Sequence, residues 1–171
     1  TVLSITEDNN KILWLGTRNG LARFDMKTRS FNTLFIEGDS YRTIYTLYTS
    51  TDGTVWIGTD GGLTRYDEKT HKFDTYTEKN SIYLDSDGKK SADRHISVKS
   101  IIDDGHGNLY LGTWSDGVLI FNPKKRTFQR YEKINNFNSA YSLYLDSKGR
   151  LWIGSWSEGL QMIPNPEQGP R

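Results

Sequence analysis

Short stretches in which apolar and polar residues alternate, separated by turn residues, run along the whole chain. Val2 to Asp8 is one such stretch, with leucine and isoleucine set between serine and threonine. No window shows a sustained apolar period of about 3.6 residues, which an amphipathic helix would require. The pattern therefore predicts an all-β chain of short strands.

One phrase of an aromatic residue, an aliphatic residue, glycine and a hydroxyl residue occurs four times. The copies are Trp14-Leu15-Gly16-Thr17, Trp56-Ile57-Gly58-Thr59, Tyr110-Leu111-Gly112-Thr113 and Trp152-Ile153-Gly154-Ser155. Successive glycines are 42, 54 and 42 residues apart, so the middle interval carries twelve extra residues. Self-similarity at a fixed period indicates an array of equivalent small units.

Each unit contains four strand-like segments, of which the repeated phrase is the second. First strands are predicted at Val2 to Asp8, Ile44 to Ser50, Val98 to Asp104 and Ala140 to Asp146. Third strands begin at Gly20, Gly62, Gly117 and Gly159, and fourth strands carry Phe31, Phe73 and Phe128. Four antiparallel strands in about 42 residues are typical of a β-propeller blade.

The predicted blades cover residues 1–42, 43–95, 96–137 and 138–165, followed by a tail at 166–171. The last blade lacks its outer strand, because the residues after Ile163 are too rich in proline. We expect the aromatic residue of each phrase to fill the space between blades. Three arrangements are compatible with this pattern: part of a larger propeller, which we favour, a tight four-bladed ring, or two copies that pair into eight blades.

The composition of the chain disfavours nucleic-acid binding, membrane insertion and metal binding. The chain has 22 basic and 21 acidic residues and a net charge of +1, which disfavours a nucleic-acid partner. It has no cysteine and no apolar run long enough for a membrane helix, so we expect no direct membrane insertion. The three histidines lack the spacing of a metal site, and no cofactor is expected.

The repeat resembles the two-component regulator propeller repeat, most closely in the second blade. There the residues from Val55 to Asp67 and from Thr70 to Tyr76 follow the family pattern almost continuously. The resemblance implies the periplasmic sensor region of hybrid histidine kinases, typically of Bacteroidetes. In that family, propellers recognise oligo- or polysaccharides and control genes for glycan uptake and degradation.

The candidate ligand-binding face is the end of the blades that carries the loops between second and third strands. These loops vary in length, and the twelve-residue insertion, within roughly 78–95, is assigned to the same end, whereas turns at the opposite end keep their register. Loop variation on a constant scaffold is a common way to build recognition. The candidates are Trp114, Asp116, Trp156, Glu158, Arg18 and Asp60, with Tyr41, Arg42, Arg94 and His95 as further polar residues.

The two tryptophans allow two interpretations. Trp114 and Trp156 occupy equivalent loops of adjacent blades, where exposed indoles can stack on a sugar while Asp116 and Glu158 accept hydrogen bonds from its hydroxyls. Alternatively, both indoles cover the ends of the apolar layer between blades. We expect a non-enzymatic sensor. A glycan hydrolase or lyase that uses the two carboxylates, and a protein-interaction scaffold, are the alternatives.

Overall fold

The structure, a computed structural model, describes residues 1–34, 36, 43–68, 70–77, 79–85, 87–91, 95–131 and 138–168. These residues form four sheets and contain no α-helix. The first sheet consists of β1 (Val2–Glu7), β2 (Ile12–Thr17), β3 (Gly20–Asp25) and β4 (Ser30–Leu34). The second consists of β5 (Ile44–Thr49), β6 (Val55–Thr59), β7 (Gly62–Asp67) and β8 (Lys72–Tyr76).

A short strand, β9 (Ile82–Leu84), precedes the third sheet, whose other strands are β10 (Val98–Asp103), β11 (Leu109–Thr113), β12 (Val118–Asn122) and β13 (Thr127–Arg130). The fourth sheet has β14 (Ser142–Leu145), β15 (Leu151–Gly154) and β16 (Leu160–Ile163), and a 3-10 turn at Pro166–Gln168 follows. Strands that follow one another within β1–β4, β5–β8, β10–β13 and β14–β16 pair antiparallel. The all-β class and the blade architecture predicted from the repeats are confirmed.

The strand β9 corrects the sequence analysis. Its residues were expected in the second blade and in a loop at the ligand-binding end, but β9 pairs in parallel with β13, the outer strand of the third blade. Tyr83 is buried in the core between the second and third blades, which holds the strand in place. A fifth strand at this edge pairs backbone groups that β13 would otherwise expose to water.

Three apolar clusters lie between successive blades and form the core. Three of the four aromatic residues of the repeated phrase belong to these layers, whereas Trp152, on the last sheet, is half-buried and lies in none of them. Trp14 contacts Tyr66 of the next blade at 4.7 Å between ring centroids, and Trp56 contacts Phe121 at 5.9 Å. Tyr110 lies in the third cluster. The Trp14 indole N–H donates a hydrogen bond of 2.7 Å to the Asp8 carboxylate, so its buried donor is satisfied.

The innermost strands of adjacent blades approach closely, and this explains two features of the repeat. A Cβ atom added at Gly112 would lie 2.5 Å from the carbonyl oxygen of Ala140 in the next blade, so only glycine fits there. The recurring hydroxyl residue of the first strand also bridges blades. Ser4 Oγ accepts a hydrogen bond of 2.9 Å from Leu47 N–H, and Ser100 Oγ accepts one of 3.1 Å from Leu143 N–H.

The outward faces of the first and last sheets expose large apolar side chains. Ile5 and Phe31 are about 60% exposed on the first sheet, and Leu160 is 68% exposed on the last. In the central blades the corresponding positions are covered by a neighbouring blade. We therefore expect further blades or a second copy of the chain to cover these faces, and the molar mass in solution separates the two cases.

Candidate ligand-binding face

The loops between second and third strands open at one end of the blades, together with the connections between blades. Arg18 lies between β2 and β3, Asp60 between β6 and β7, Trp114 and Asp116 between β11 and β12, and Trp156 and Glu158 between β15 and β16. Arg18 is exposed to solvent on the first blade. His95 is described and exposed, whereas Tyr41, Arg42 and Arg94 lie outside the described residues.

Three exposed aromatic side chains contact one another across the third and fourth blades. The Trp114 and Trp156 ring centroids are 6.1 Å apart, and the Tyr141 ring lies 6.2 Å from Trp114 and 5.5 Å from Trp156. Trp114 is 48% exposed, Tyr141 40% and Trp156 69%. Neither loop tryptophan belongs to the three apolar clusters between blades, in which Trp14 is 0% exposed. We call Trp114, Tyr141 and Trp156 the aromatic platform.

Asp60 organises a polar network beside the platform, where the second and third blades meet. Its carboxylate accepts hydrogen bonds from Tyr45 Oη at 2.7 Å, from Ser97 Oγ and from Lys99 Nζ at 2.9 Å. The Lys99 ammonium also lies 3.1 Å from the Tyr45 ring centroid and 5.9 Å from that of Trp114. The network therefore connects two blades and reaches the edge of the platform.

The ionisation of this network follows from its contacts. Burial raises the pKa of Asp60, but the hydrogen bonds from Lys99, Ser97 and Tyr45 outweigh it and hold the pKa below its ordinary value. Burial, followed by the hydrogen bond to Asp60, raises the pKa of Tyr45 to about 12. At neutral pH, Asp60 is thus a carboxylate and Tyr45 a neutral phenol that donates to it.

The two carboxylates expected to work together are in different environments. Asp116 is 2% exposed, and its backbone N–H donates a 3.0 Å hydrogen bond to Thr113 Oγ1 within the turn. Glu158 is exposed and accepts hydrogen bonds from Ser139 Oγ at 3.2 Å and from Ser155 Oγ. Of these two carboxylates, Glu158 is therefore the one open to solvent at the rim of the platform.

Sequence analysis missed three residues of this face: Tyr45, Lys99 and Tyr141. They occupy the same position of the first strand in three blades, directly before the recurring serine or threonine. The pairing register shifts across this position, between Ile44 and Thr46 and between Val98 and Ser100. Such bulges redirect a side chain. The available signal was the variation at this position among otherwise similar strands.

A concavity of about 620 Å³ lies at the opposite end of the third blade. Its polar residues largely bond one another: Asn122 Nδ2 donates to Asn108 Oδ1 at 2.7 Å, and Asn108 Nδ2 donates to Asp104 Oδ2 at 2.6 Å. His106 Nε2 is 3.4 Å from the Glu167 carboxylate. Because these groups already have partners, this groove is less suited to a ligand than the platform. Among the described residues, no group of three His, Asp or Glu side chains converges as a metal site would require.

The fold defines the class of protein, a β-propeller segment, and comparison with known proteins supports it. Residues 1–19, 38–61 and 136–157 match the two component regulator propeller family. The match lies in the first, second and fourth blades and confirms the resemblance that the sequence pattern indicated. No curated protein shows significant sequence similarity to it.

Solved structures share the fold of this chain. The extracellular domain of BT4673, described as a hybrid two component system of B. thetaiotaomicron, is 26% identical with a TM-score of 0.75, over 96% of this chain and 21% of that one. The corresponding domain of BT3049 is 24% identical with a TM-score of 0.71, over 95% and 20%. The chain thus spans about a fifth of each of these two extracellular domains, whose location agrees with the periplasmic location expected from the resemblance.

Virginiamycin B lyase from Staphylococcus aureus has a TM-score of 0.67 but only 16% identity, over 98% of this chain and 57% of that one. This likeness shows a shared propeller fold alone. Within the part of the chain that the structure describes, no helix is long and apolar enough to cross a membrane.

Proposed function

We propose that this chain is the ligand-recognising segment of a two-component sensor and that its ligand is an oligosaccharide. The aromatic platform carries the proposal, because three large rings that touch one another are left open to water on the variable end of the propeller. Exposed contiguous aromatic surface on a soluble domain marks an interaction site. The sensor role is supported by the family match and by the two extracellular sensor domains.

The chemistry of the platform suits a sugar ring. Indole and phenol faces pack against the C–H face of a pyranose and bury apolar area with little loss of side-chain freedom. At the rim, the Glu158 carboxylate accepts hydrogen bonds, and Ser139 and Ser155 hold it in place. Stacking would supply contact area, and the carboxylate would orient the hydroxyl groups.

The test is a glycan array followed by calorimetry on the chain and its variants. We expect Trp156→Ala and Tyr141→Ala each to weaken binding of an array-positive oligosaccharide by about ten- to thirtyfold, the usual effect of removing an aromatic hot spot. Tyr144→Ala is the matched control, since Tyr144 lies on the same blade and is 64% exposed but is not in the platform. Equal losses in Tyr144→Ala and Tyr141→Ala would contradict the proposal.

Two alternatives are outcomes of the same experiment. A glycan hydrolase or lyase would release product from the bound oligosaccharide, and Glu158→Gln would abolish release while binding survives. A protein-interaction scaffold would bind a partner chain and no sugar on the array. The burial of Asp116 disfavours an acid/base pair of Asp116 and Glu158, because general acid/base catalysis requires both groups within hydrogen-bond reach of the substrate.

A further inference from the structure

Lys99 places a positive charge beside the aromatic platform. Its side chain is only 7% exposed, and its ammonium lies 5.9 Å from the Trp114 ring centroid. A cation at this position is well placed to meet an anionic group on any ligand that stacks on the platform. In this structure, however, Lys99 Nζ is 2.9 Å from the Asp60 carboxylate.

The pair is built into the fold. Asp60 is also held by Tyr45 and Ser97, so its carboxylate has hydrogen bonds from both of the blades that meet here. A buried charge whose partner is removed is strongly unfavourable, whereas a matched pair is close to neutral. Lys99 therefore has its charge satisfied before any ligand arrives.

Among the described residues, Lys99 is the cation that lies against a platform ring. Arg18 lies in solvent on the first blade, where its charge partly opposes the raised pKa of Tyr45. Glu158, the exposed carboxylate at the rim, repels an anionic ligand further.

We propose that Asp60 is a specificity-determining residue: by pairing with Lys99 it withholds the cation from the ligand, so that the platform selects uncharged sugars over sugars that carry a carboxylate. This inference rests on the proposed function of the platform. It assigns to Asp60 a role in discrimination, in contrast to the direct hydrogen bonding to ligand expected from the sequence.

The experiment compares each sugar with its charged counterpart. Gluco-, galacto- and manno-oligosaccharides are titrated in parallel with the matched uronates, and the ratio of the two dissociation constants is measured. For the unaltered chain we expect the neutral member to bind at least about tenfold more tightly, a difference of roughly 1.4 kcal/mol. Its affinity should not change with NaCl concentration over the range in which exposed charges become screened.

In Asp60→Asn the Lys99 charge loses its partner. We expect the ratio of the two dissociation constants to change about tenfold in favour of uronate binding. The double variant Asp60→Asn/Lys99→Met should lose that shift, because no cation remains. Asp74→Asn is the matched control: Asp74 also pairs with a cation, Arg126 at 3.1 Å, but lies on the outer strand β8, and its ratio should equal that of the unaltered chain.

Each other outcome is decisive. Three results overturn the inference while the platform function stands. The first is an unaltered chain that prefers uronates, and the second is a ratio of dissociation constants that Asp60→Asn does not change although the variant has a normal thermal transition. The third is a shift in this ratio that survives in the double variant. Absence of binding to every sugar of the set overturns the proposed function itself. Should Asp60→Asn fail to fold, the ratio and the salt response of the unaltered chain still decide.

Discussion

Replacement of Gly112 by alanine tests whether the glycine of the repeated phrase is required by the next blade. The added Cβ would lie 2.5 Å from Ala140 O and 3.3 Å from Leu143 Cγ, whereas real Cβ contacts are essentially never under 3.0 Å. The backbone of the fourth blade must therefore move by about half an ångström. Gly112 has no positive φ, so alanine meets no backbone strain at this position.

The size of the effect follows from two opposing contributions. Overpacking of this kind costs about 1–3 kcal/mol, and the reduced freedom of the unfolded chain offsets about 0.4–1 kcal/mol. We expect Gly112→Ala to lower the free energy of unfolding by about 1–2 kcal/mol, and each kcal/mol lowers Tm by about 2–4 °C in a chain of this size. Thermal and urea unfolding, followed by circular dichroism, measure both quantities.

Gly154→Ala is the matched control, because Gly154 occupies the same place in the repeated phrase. A Cβ there would meet Ser142 Cβ at 3.6 Å, an ordinary contact, so we expect no loss of stability and a gain of up to about 1 kcal/mol. Equal destabilisation of Gly112→Ala and Gly154→Ala would refute the reasoning, since both would then respond to a property of the strand and not to the neighbouring blade.

Two further predictions concern the hydrogen bonds between blades and the response to alkali. Ser100→Ala removes the acceptor of Leu143 N–H and should lower the free energy of unfolding, measured in urea, by about 1–2 kcal/mol. Ser142→Ala, at the equivalent exposed position, should lower it by less than about 0.5 kcal/mol. A larger loss in Ser142→Ala than in Ser100→Ala would contradict this prediction. Because the pKa of Tyr45 is raised to about 12, above about 10 in the unfolded chain, its neutral form contributes stability that is complete below pH 10 and lost between pH 10 and 12. Between pH 10 and 12, the free energy of unfolding of Tyr45→Phe should therefore fall less steeply with pH than that of the unaltered chain. Identical slopes in the two proteins would contradict the raised pKa of Tyr45.

Much of the fold was predictable because the same physical requirement recurs in each blade. Apolar and polar residues that alternate as in a strand, with an aromatic residue and a glycine at fixed positions, indicate a blade that is covered on both faces. The repeated phrase therefore located β2, β6, β11 and β15 directly. The short strand β9 could not be predicted, since it is defined only by the exposed edge of a strand more than forty residues later in the chain.

The candidate site was predictable in part. Trp114 and Trp156 stood out because equivalent loops carried the same unusual residue, and the structure brings their rings together. Tyr141 and Lys99 escaped detection because they lie directly before β14 and within β10, where alternation predicts only a strand residue. The position of Lys99 on the candidate ligand-binding face depends on a local change of register.

By itself the sequence determined the all-β class, the blade repeat and the aromatic layers between blades, since each of these depends on residues a few positions apart in one unit. The tertiary structure decided which side chains meet where one blade packs against the next. Asp60, Lys99 and Trp114 are up to 54 residues apart in sequence, and their contact requires the packing of one blade against the next. Contacts of this kind have no local period. Repetition in the sequence therefore indicates the scaffold, and departures from repetition indicate the candidate binding face.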